Sequence, residues 1–303
     1  MEKYIYVTSR ATLNKVILYV KIEHVYYRER RFNMQLTTDV KTYDLDERTH
    51  IMGILNVTPD SFSDGGSYTE IETAVQQAML MEANGADIID IGGESTRPDH
   101  NPVSAVEEIN RVVPMVQAVK DNVGVPISID TYKAKTAEAA LKAGASIIND
   151  VWGAKRDSDI ARVAADHKVP IILMHNRTNL NYTCLIDDMK KDLTESIDIA
   201  LKAGVLEKNI ILDPGIGFAK TMDHNFTVMN QLEEFTKLGY PLLLATSRKR
   251  FIGTVLDVPA EERDVGTGAT TCLGISKGAQ MVRVHNVKLN VQLAKMMDRM
   301  LKG

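Results

Sequence analysis

Eight short apolar segments recur along the chain at the spacing of one β/α unit, and most end on a polar residue that can take part in chemistry. A strand of an all-parallel sheet is buried on both faces and therefore reads as a continuous run of Val, Ile and Leu. When such strands close into a barrel, their carboxyl ends meet at one open face, where this fold carries its active sites. The pattern predicts a (β/α)8 TIM barrel with strands at residues 51–56, 88–90, 127–130, 147–149, 171–175, 210–213, 242–246 and 281–285.

The intervals between these strands carry helical periodicity, with glycines where helices should end. The predicted helices are residues 71–83, 105–119, 134–143, 160–166, 185–203, 225–236, 267–277 and 291–301. Their expected C-caps are Gly85, Gly144, Gly204, Gly239 and Gly278. Ahead of the first strand, residues 35–50 are expected to form an N-terminal hairpin that closes the barrel floor.

The length fits one barrel domain and a short extension. The chain has 303 residues, whereas a barrel of this kind takes roughly 250. Residues 1–33 carry a net charge of +4 and half of the ten tyrosines, against −8 for the remainder. They lack the clean apolar core of a secretory signal. We expect residues 1–33 to be an atypical extension, either an appended segment or the product of an upstream start codon, and residues 34–303 to be the barrel domain.

Several other classes of protein do not fit the composition. Cys184 and Cys272 form neither a metal-binding spacing nor a disulfide framework, which suits a reducing cytoplasm. No apolar run approaches the roughly 18 residues of a membrane span, and no long Lys/Arg cluster marks a nucleic-acid surface. We therefore expect a small-molecule partner rather than a membrane or a nucleic acid.

Three polar strand ends, Asp130, Asn149 and Asp213, suggest a pocket for a flat heterocycle. Carboxylates accept hydrogen bonds and an amide both donates and accepts, so together they could bind adjacent N–H donors and a carbonyl, as in an aminopyrimidinone. Lys249 could donate to the carbonyl or a ring nitrogen of such a ligand. The alternative is that the two aspartates cap the helices that follow them.

A cationic group lies at the ends of the last two strands, in Ser247-Arg248-Lys249 and Arg283-Val284-His285. Loops at this place in the barrel often bind phosphate, and Arg283 and His285 project to one side of their strand. They are expected to form an anion clamp, with a salt bridge inside the barrel as the alternative. Beside a diphosphate, Asn56 could hold Mg²⁺. His175 is either a structural histidine or a ligand, and Met174 is expected to supply pocket wall or core.

The motifs resemble those of dihydropteroate synthase, most closely the enzyme of Gram-positive bacilli, in order over roughly residues 50–303. They are Asn-Val-Thr-Pro-Asp-Ser-Phe-Ser-Asp-Gly-Gly at 56–66, Asp-Ile-Gly-Gly-Glu-Ser-Thr-Arg-Pro at 90–98, Asp-Pro-Gly-Ile-Gly-Phe at 213–218, Ser-Arg-Lys at 247–249 and Arg-Val-His at 283–285. The resemblance implies a (β/α)8 barrel, usually a homodimer. It implies an enzyme that joins p-aminobenzoate to 6-hydroxymethyl-7,8-dihydropterin diphosphate and releases diphosphate in folate synthesis.

The resemblance also implies roles for individual residues. The pterin pocket would be Asp130, Asn149, Asp213 and Lys249, with Met174 as wall, and the diphosphate–Mg²⁺ site would be Asn56, Arg283 and His285. The p-aminobenzoate site, which sulfonamides also occupy, would be Phe62, Thr96, Arg97, Pro98 and Ser247. Asp130, Lys249, Arg283 and His285 would act in catalysis. Asp64 would lie in a mobile loop, and Asn286 stands where relatives often have Asp.

Two other functions share parts of this pattern. A barrel that transfers methyl from methyltetrahydrofolate to a corrinoid protein would share the pterin-binding residues, but it would need neither the loop at 57–67 nor a diphosphate clamp. An inert scaffold would not require the complete set of polar strand ends. Release of diphosphate from pterin diphosphate and p-aminobenzoate distinguishes all three.

Overall fold

The computed structural model describes residues 34–56, 68–94 and 103–302. The predictions about residues 1–33, and about Phe62, Asp64, Thr96, Arg97 and Pro98, lie outside these described residues.

Eight parallel strands form a barrel, preceded by an antiparallel hairpin. The hairpin strands are β1 Gln35–Thr37 and β2 Thr42–Asp44. The barrel strands are β3 His50–Asn56, β4 Ile88–Gly92, β5 Ile127–Asp130, β6 Ile147–Asp150, β7 Ile171–Met174, β8 Ile210–Asp213, β9 Leu243–Leu244 and β10 Met281–Val284. Their order is β8-β7-β6-β5-β4-β3-β10-β9. A parallel bridge between Leu212 and Leu242 joins the two ends of this sheet, and the predicted barrel is confirmed.

Helices cover the outside of the barrel. They are α1 Tyr68–Ala83, α2 Ala105–Lys120, α3 Ala134–Ala143, α4 Asp159–His167, α5 Leu185–Lys202, α6 Met222–Asn230, α7 Glu233–Thr236, α8 Arg250–Leu256, α9 Asp264–Ser276 and α10 Val287–Lys302. The five glycines expected after helices all have positive φ. Among the residues that the structure describes, none of the helices is both long and apolar enough to cross a lipid bilayer.

The structure differs from the prediction around the seventh strand of the barrel. The helix predicted at 225–236 is two helices, because the backbone leaves helical geometry at Gln231, with φ −117° and ψ 29°. The strand predicted at 242–246 is only two residues long, because a turn begins at Thr246, whose carbonyl accepts the Lys249 N–H at 3.2 Å. Helix α8 was not predicted, and it follows directly from this turn.

The barrel floor is a separate apolar cluster that the hairpin completes. Leu36, Tyr43 and Leu45 pack against one layer of inward side chains, Met52, Ile88, Ile147, Ile172, Ile211, Leu243 and Met281. The Tyr43 hydroxyl donates to the carbonyl oxygen of Asp87 at 2.6 Å. The hairpin therefore closes the floor, as predicted from the sequence.

The next layer of the barrel interior is polar, and the pleat of the strands explains why. Side chains two residues apart point to the same face of a strand. Asp90, Asn149, Asp213 and Arg283 each stand two residues after a side chain of the floor layer and are at least largely buried. The same alternation that fills the floor with Ile and Met therefore places carboxylates, an amide and a guanidinium above it, toward the carboxyl ends of the strands.

Candidate active site

Arg283 lies between two carboxylates inside the barrel. Its Nε donates to Asp90 Oδ2 at 2.6 Å, and its Nη2 donates to Asp130 Oδ2 at 2.7 Å. The Asn149 amide donates to Asp90 Oδ2 at 3.2 Å. The structure thus brings together three predicted site residues, and it shows the internal salt bridge that the sequence left open as an alternative role for Arg283. Asp90 joins them; the sequence indicates it as a strand end and as the first residue of the motif at 90–98, without a role in the site.

Burial and charge shift the ionisation of this group. Burial raises the pKa of Asp130 to about 7, against the attraction of Arg283 and with the help of the negative charge of Asp90. Burial alone would lower the pKa of Arg283, but the attraction of Asp90 and Asp130 outweighs it and the pKa is raised. The guanidinium is therefore a permanent charge, while Asp130 can change its charge near neutral pH.

Two acceptor atoms in this group suit a ligand with N–H donors. Within the described residues, Oδ1 of Asp90 and Oδ1 of Asp130 are buried and accept no hydrogen bond. A buried polar atom without a partner is costly and uncommon in native proteins. A planar ligand with ring or amino N–H groups would supply the missing donors, which fits the heterocycle predicted from the sequence.

Asp213 begins a glycine-containing loop, residues 213–220, which we call the glycine loop. Oδ1 of Asp213 accepts the Gly215 N–H at 2.7 Å. This bond lies within the loop, and the N-cap of α6 is Thr221, so Asp213 does not cap the following helix. Asp130 likewise does not cap α3, whose N-cap is Lys133. The helix-cap alternative is therefore not what the structure shows for either aspartate.

Lys249 lies against the glycine loop. Its Nζ donates to the carbonyl oxygen of Ile216 and stands 4.7 Å from the centroid of the Phe218 ring. Burial lowers the pKa of Lys249 to about 8, and the charge of Asp213 opposes this shift. Burial raises the pKa of Asp213, and Lys249 opposes that shift in turn. The two residues are therefore electrostatically paired, as expected of neighbours in one pocket.

Met174 and His175 take different roles at the end of β7. Met174 is buried against the loop, since a Cβ built on Gly215 would lie 3.2 Å from its Cγ. This is consistent with a pocket wall. His175 is fully buried, and its ring nitrogens lie 2.9 Å from Asp192 Oδ2 and 3.0 Å from Lys220 Nζ. Of the two roles left open for His175, the structure favours the structural one. Lys220 was not identified from the sequence, where one lysine after a glycine-rich turn carries no distinctive signal.

Ser247 and His285 are in direct contact. Ser247 Oγ accepts the His285 backbone N–H at 3.0 Å and lies 2.8 Å from its Nδ1. Arg248 departs from the predicted cationic group, because its backbone is left-handed, with φ 58°. Its guanidinium instead binds both oxygens of Asp264, at 2.7 and 3.0 Å. Asn286 donates to the same carboxylate at 2.8 Å. It therefore supports the ion pair between Arg248 and Asp264.

The candidate metal ligand, Asn56, is exposed at the end of β3. No group of three or more His, Cys, Asp or Glu within the described residues could hold a metal ion. Mg²⁺ commonly binds through one or two protein oxygens together with substrate phosphates and water. One amide oxygen at the rim of the barrel fits such a site, in which the substrate supplies most of the ligands.

Comparisons with known proteins agree with this geometry. A family model described as pterin binding enzyme matches residues 52–285. The chain is 64% identical to dihydropteroate synthase of Bacillus subtilis (strain 168) over 255 residues, which are 84% of this chain and 90% of the relative.

Two solved structures are similar across nearly their whole length. Dihydropteroate synthase from Clostridium difficile, crystallised in the presence of pteroic acid, is 47% identical with a TM-score of 0.84, covering 86% of this chain and 100% of the other. The Xanthomonas albilineans enzyme with 4-aminobenzoic acid is 36% identical with a TM-score of 0.85, covering 90% and 100%. The chain therefore belongs to the pterin binding enzymes and, within them, to the dihydropteroate synthases.

Proposed function

We infer that this chain joins p-aminobenzoate to 6-hydroxymethyl-7,8-dihydropterin diphosphate, forming 7,8-dihydropteroate and releasing diphosphate. The observation that carries this conclusion is the buried polar group of Asp90, Asp130, Asn149 and Asp213, with Lys249 electrostatically paired to Asp213, in a chain 64% identical to a dihydropteroate synthase. Structures of similar enzymes with pteroic acid and with 4-aminobenzoic acid support the two substrate classes.

The pterin ring binds in the polar layer. Asp213 and Asn149 have the acceptors and donors to bind the aminopyrimidinone edge, and Lys249 is placed to donate to its carbonyl or ring nitrogen. Met174 forms part of the apolar wall. Lys249 donates to the Ile216 carbonyl, and a pterin carbonyl or ring nitrogen would compete for this hydrogen bond.

Arg283 and Asp130 act on the charges that develop during the reaction. As the bond between the methylene carbon and oxygen breaks, Arg283 and His285 neutralise charge on the departing diphosphate. The carboxylate of Asp130 favours the cationic pterin that remains. The arylamine nitrogen of p-aminobenzoate is already neutral at pH 7, so the attack requires no strong general base. Because the pKa of Asp130 is raised to about 7, the rate should increase as pH rises through neutrality.

Mg²⁺ is proposed as the cofactor, bound by Asn56 and by oxygens of the diphosphate. When bound, the ion supplies positive charge against the leaving group. The proposal rests on the exposed amide at the strand end and on the preference of Mg²⁺ for few protein ligands.

The second substrate is proposed to bind at the rim of the barrel. The resemblance assigns Phe62, Thr96, Arg97 and Pro98 to this site, together with Ser247. Ser247 is already held by His285 of the diphosphate site, which would couple the two substrate sites. Sulfonamides, as p-aminobenzoate analogues, would compete here.

A homodimer is proposed from an apolar surface on three packed helices. Phe226 of α6, Val255 and Leu256 of α8, and Val265 and Leu273 of α9 are exposed. The rings of Phe226 and Phe251 are in edge contact at 5.6 Å, so α6 and α8 are neighbours. Exposed apolar patches commonly mark protein interfaces. In an isologous dimer the same patch of each subunit would be buried against the other. Val265→Glu should shift the mass measured by light scattering from that of a dimer to that of a monomer.

A cytoplasmic location is proposed because Cys184 and Cys272 are both free.

The activity is tested by measuring diphosphate release from the two substrates together and from each alone. Release only with both, accompanied by dihydropteroate, is the expected result. Methyl transfer from methyltetrahydrofolate to a corrinoid, without diphosphate release, would support the rival enzyme. If calorimetry shows that the protein binds neither substrate, the hypothesis of an inert scaffold is supported.

A further inference from the structure

The Lys220 ammonium lies at the centre of the glycine loop. Its Nζ donates to the carbonyl oxygens of Gly215 at 2.9 Å and Phe218 at 3.0 Å, and it stands 3.0 Å from His175 Nδ1. An ammonium has three donors and no acceptor. Three acceptors therefore surround three donors, and the geometry matches the protonated form of the lysine.

His175 continues the hydrogen-bond chain to helix α5. Because its Nδ1 accepts from Lys220, the ring proton must be on Nε2, which donates to Asp192 Oδ2 at 2.9 Å. This gives a neutral histidine in one tautomer, and burial lowers its pKa to about 4. Burial would raise the pKa of Asp192, but hydrogen bonds from His175 and Arg177 outweigh this and lower it. The result is an ordered chain from Asp192 through His175 to Lys220.

The glycine loop needs such support at Ala219, which is left-handed although it is not a glycine. Gly215, Gly217 and Ala219 have φ of 66°, 85° and 45°. The left-handed region costs a non-glycine residue roughly 1–2 kcal/mol, and Ala219 adopts it. A conformation of this kind persists only where surrounding contacts impose it. Lys220 bridges the carbonyls on either side of the Gly217 turn.

The loop supported by Lys220 is the one that forms the pterin pocket. It begins at Asp213, and its Ile216 carbonyl accepts the Lys249 ammonium. We propose that Lys220, oriented by His175 and Asp192, is a positioning residue that holds the glycine loop and so fixes Asp213 and Lys249 for the pterin substrate. This inference rests on the proposed function.

The charge of Lys220 should also make pterin affinity depend on pH. The charged groups that act on Lys220 are Asp213, Lys249, Asp192 and Arg177. Burial lowers the pKa of Lys220 to about 7, and Asp213 opposes the shift. Pterin affinity should therefore decline as pH rises through neutrality and Lys220 loses its proton. Lys249 and Asp130 titrate in the same pocket, so the contribution of Lys220 is the part of the decline that its substitution removes.

The test compares Lys220→Met with Lys277→Met. Methionine keeps much of the length of the lysine and removes its donors and charge. Lys277 pairs with Glu233 at 2.9 Å and contacts none of the residues placed in the site. Lys220→Met should weaken pterin-diphosphate binding and raise its KM by about ten-fold or more, the effect of losing hydrogen bonds to a charged group. The KM for p-aminobenzoate should change less than about two-fold, and Lys277→Met should match the wild type.

Two histidine variants separate positioning from general stability. The oxygen of His175→Asn can occupy the place of Nδ1 and accept from Lys220, whereas His175→Gln reaches toward Asp192 and leaves Lys220 without that acceptor. His175→Asn should therefore retain more pterin affinity than His175→Gln. If Lys220→Met fails to fold, the order of pterin affinity in these two variants still tests whether Lys220 holds the glycine loop.

The outcomes of the two proposals are distinguishable. A wild-type protein that binds no pterin would overturn the proposed function itself. If the wild type is active, the inference is overturned when Lys220→Met binds pterin normally, when both KM values rise together in step with a lower melting temperature, or when the two histidine variants show the reverse order. It is also overturned if Lys220→Met keeps the full decline of pterin affinity above about pH 7.

Discussion

Three glycines with similar backbone geometry allow the cost of a left-handed conformation to be separated from the cost of close packing. Gly215, Gly217 and Gly239 have φ of 66°, 85° and 82°. Alanine at any of them pays roughly 1–2 kcal/mol for the left-handed backbone. A Cβ on Gly239 would meet nothing within 4 Å, so Gly239→Ala measures this penalty alone.

At the other two glycines the new Cβ would also make a close contact, with a flexible side chain at Gly217 and with the backbone at Gly215. A Cβ on Gly217 would lie 3.0 Å from Lys249 Cδ, a flexible side chain that can move. A Cβ on Gly215 would lie 2.1 Å from the carbonyl oxygen of His175, whereas carbon and oxygen normally approach no closer than about 3.3 Å. The backbone would have to shift by more than about 1 Å. Overpacking of this kind adds about 1–3 kcal/mol or more, for a total near 3 kcal/mol or above.

The assay is urea denaturation of the three alanine variants, with calorimetric titration of a pterin ligand. The unfolding free energy should fall least for Gly239→Ala, about as little for Gly217→Ala, and most for Gly215→Ala. Pterin affinity should be unchanged in Gly239→Ala and reduced in Gly217→Ala, because the new methyl group displaces Lys249. If Gly215→Ala is no less stable than Gly239→Ala, the close approach of the loop to His175 is not a real constraint.

Four further predictions concern the site, its loops and the extension. Lys249→Ala should weaken pterin binding by about 1–3 kcal/mol, because buried polar groups lose their partner; unchanged affinity by calorimetry would remove Lys249 from the pocket. Burial raises the pKa of Asp150 to about 7, so its protonated form contributes stability that is complete below the unfolded pKa of about 4 and is lost as pH rises through 7. Asp150→Asn should therefore show a smaller fall in unfolding free energy between about pH 5 and 8 than the wild type, and an equal fall in urea titrations would contradict this. Sulfonamide affinity should increase when Mg²⁺, pterin and diphosphate are present together; indifference to them would argue against coupling between the diphosphate site and the second substrate site. A chain that starts at Met34 should keep the full-length rate and melting temperature, and a folded but inactive truncation would show that residues 1–33 contribute to the site.

The strands, and the side of each strand on which a polar residue stands, were determined by sequence alone. Burial on both faces requires apolar runs, and the alternation of the pleat is strictly local, so Ile211 and Asp213 must point the same way wherever the strand lies. The motifs added the family and thereby the residues expected in the pocket. Boundaries near the seventh strand could not be predicted as well, because the turn at Thr246 and the short helix after it depend on contacts rather than on periodicity.

The partner of each polar group was decided only by the tertiary structure. Arg283 pairs with Asp90, 193 positions away, because strand order and register bring β10 and β4 to either side of β3. Arg248 stands next to Lys249 in sequence, yet it turns outward to Asp264 while Lys249 turns inward. Lys220 contacts His175 because the loop that carries it folds back toward β7. Periodicity in the sequence does not predict the path of this loop. In a closed barrel, charges separated by whole β/α units become neighbours, and the chemistry of the site arises from this non-local packing.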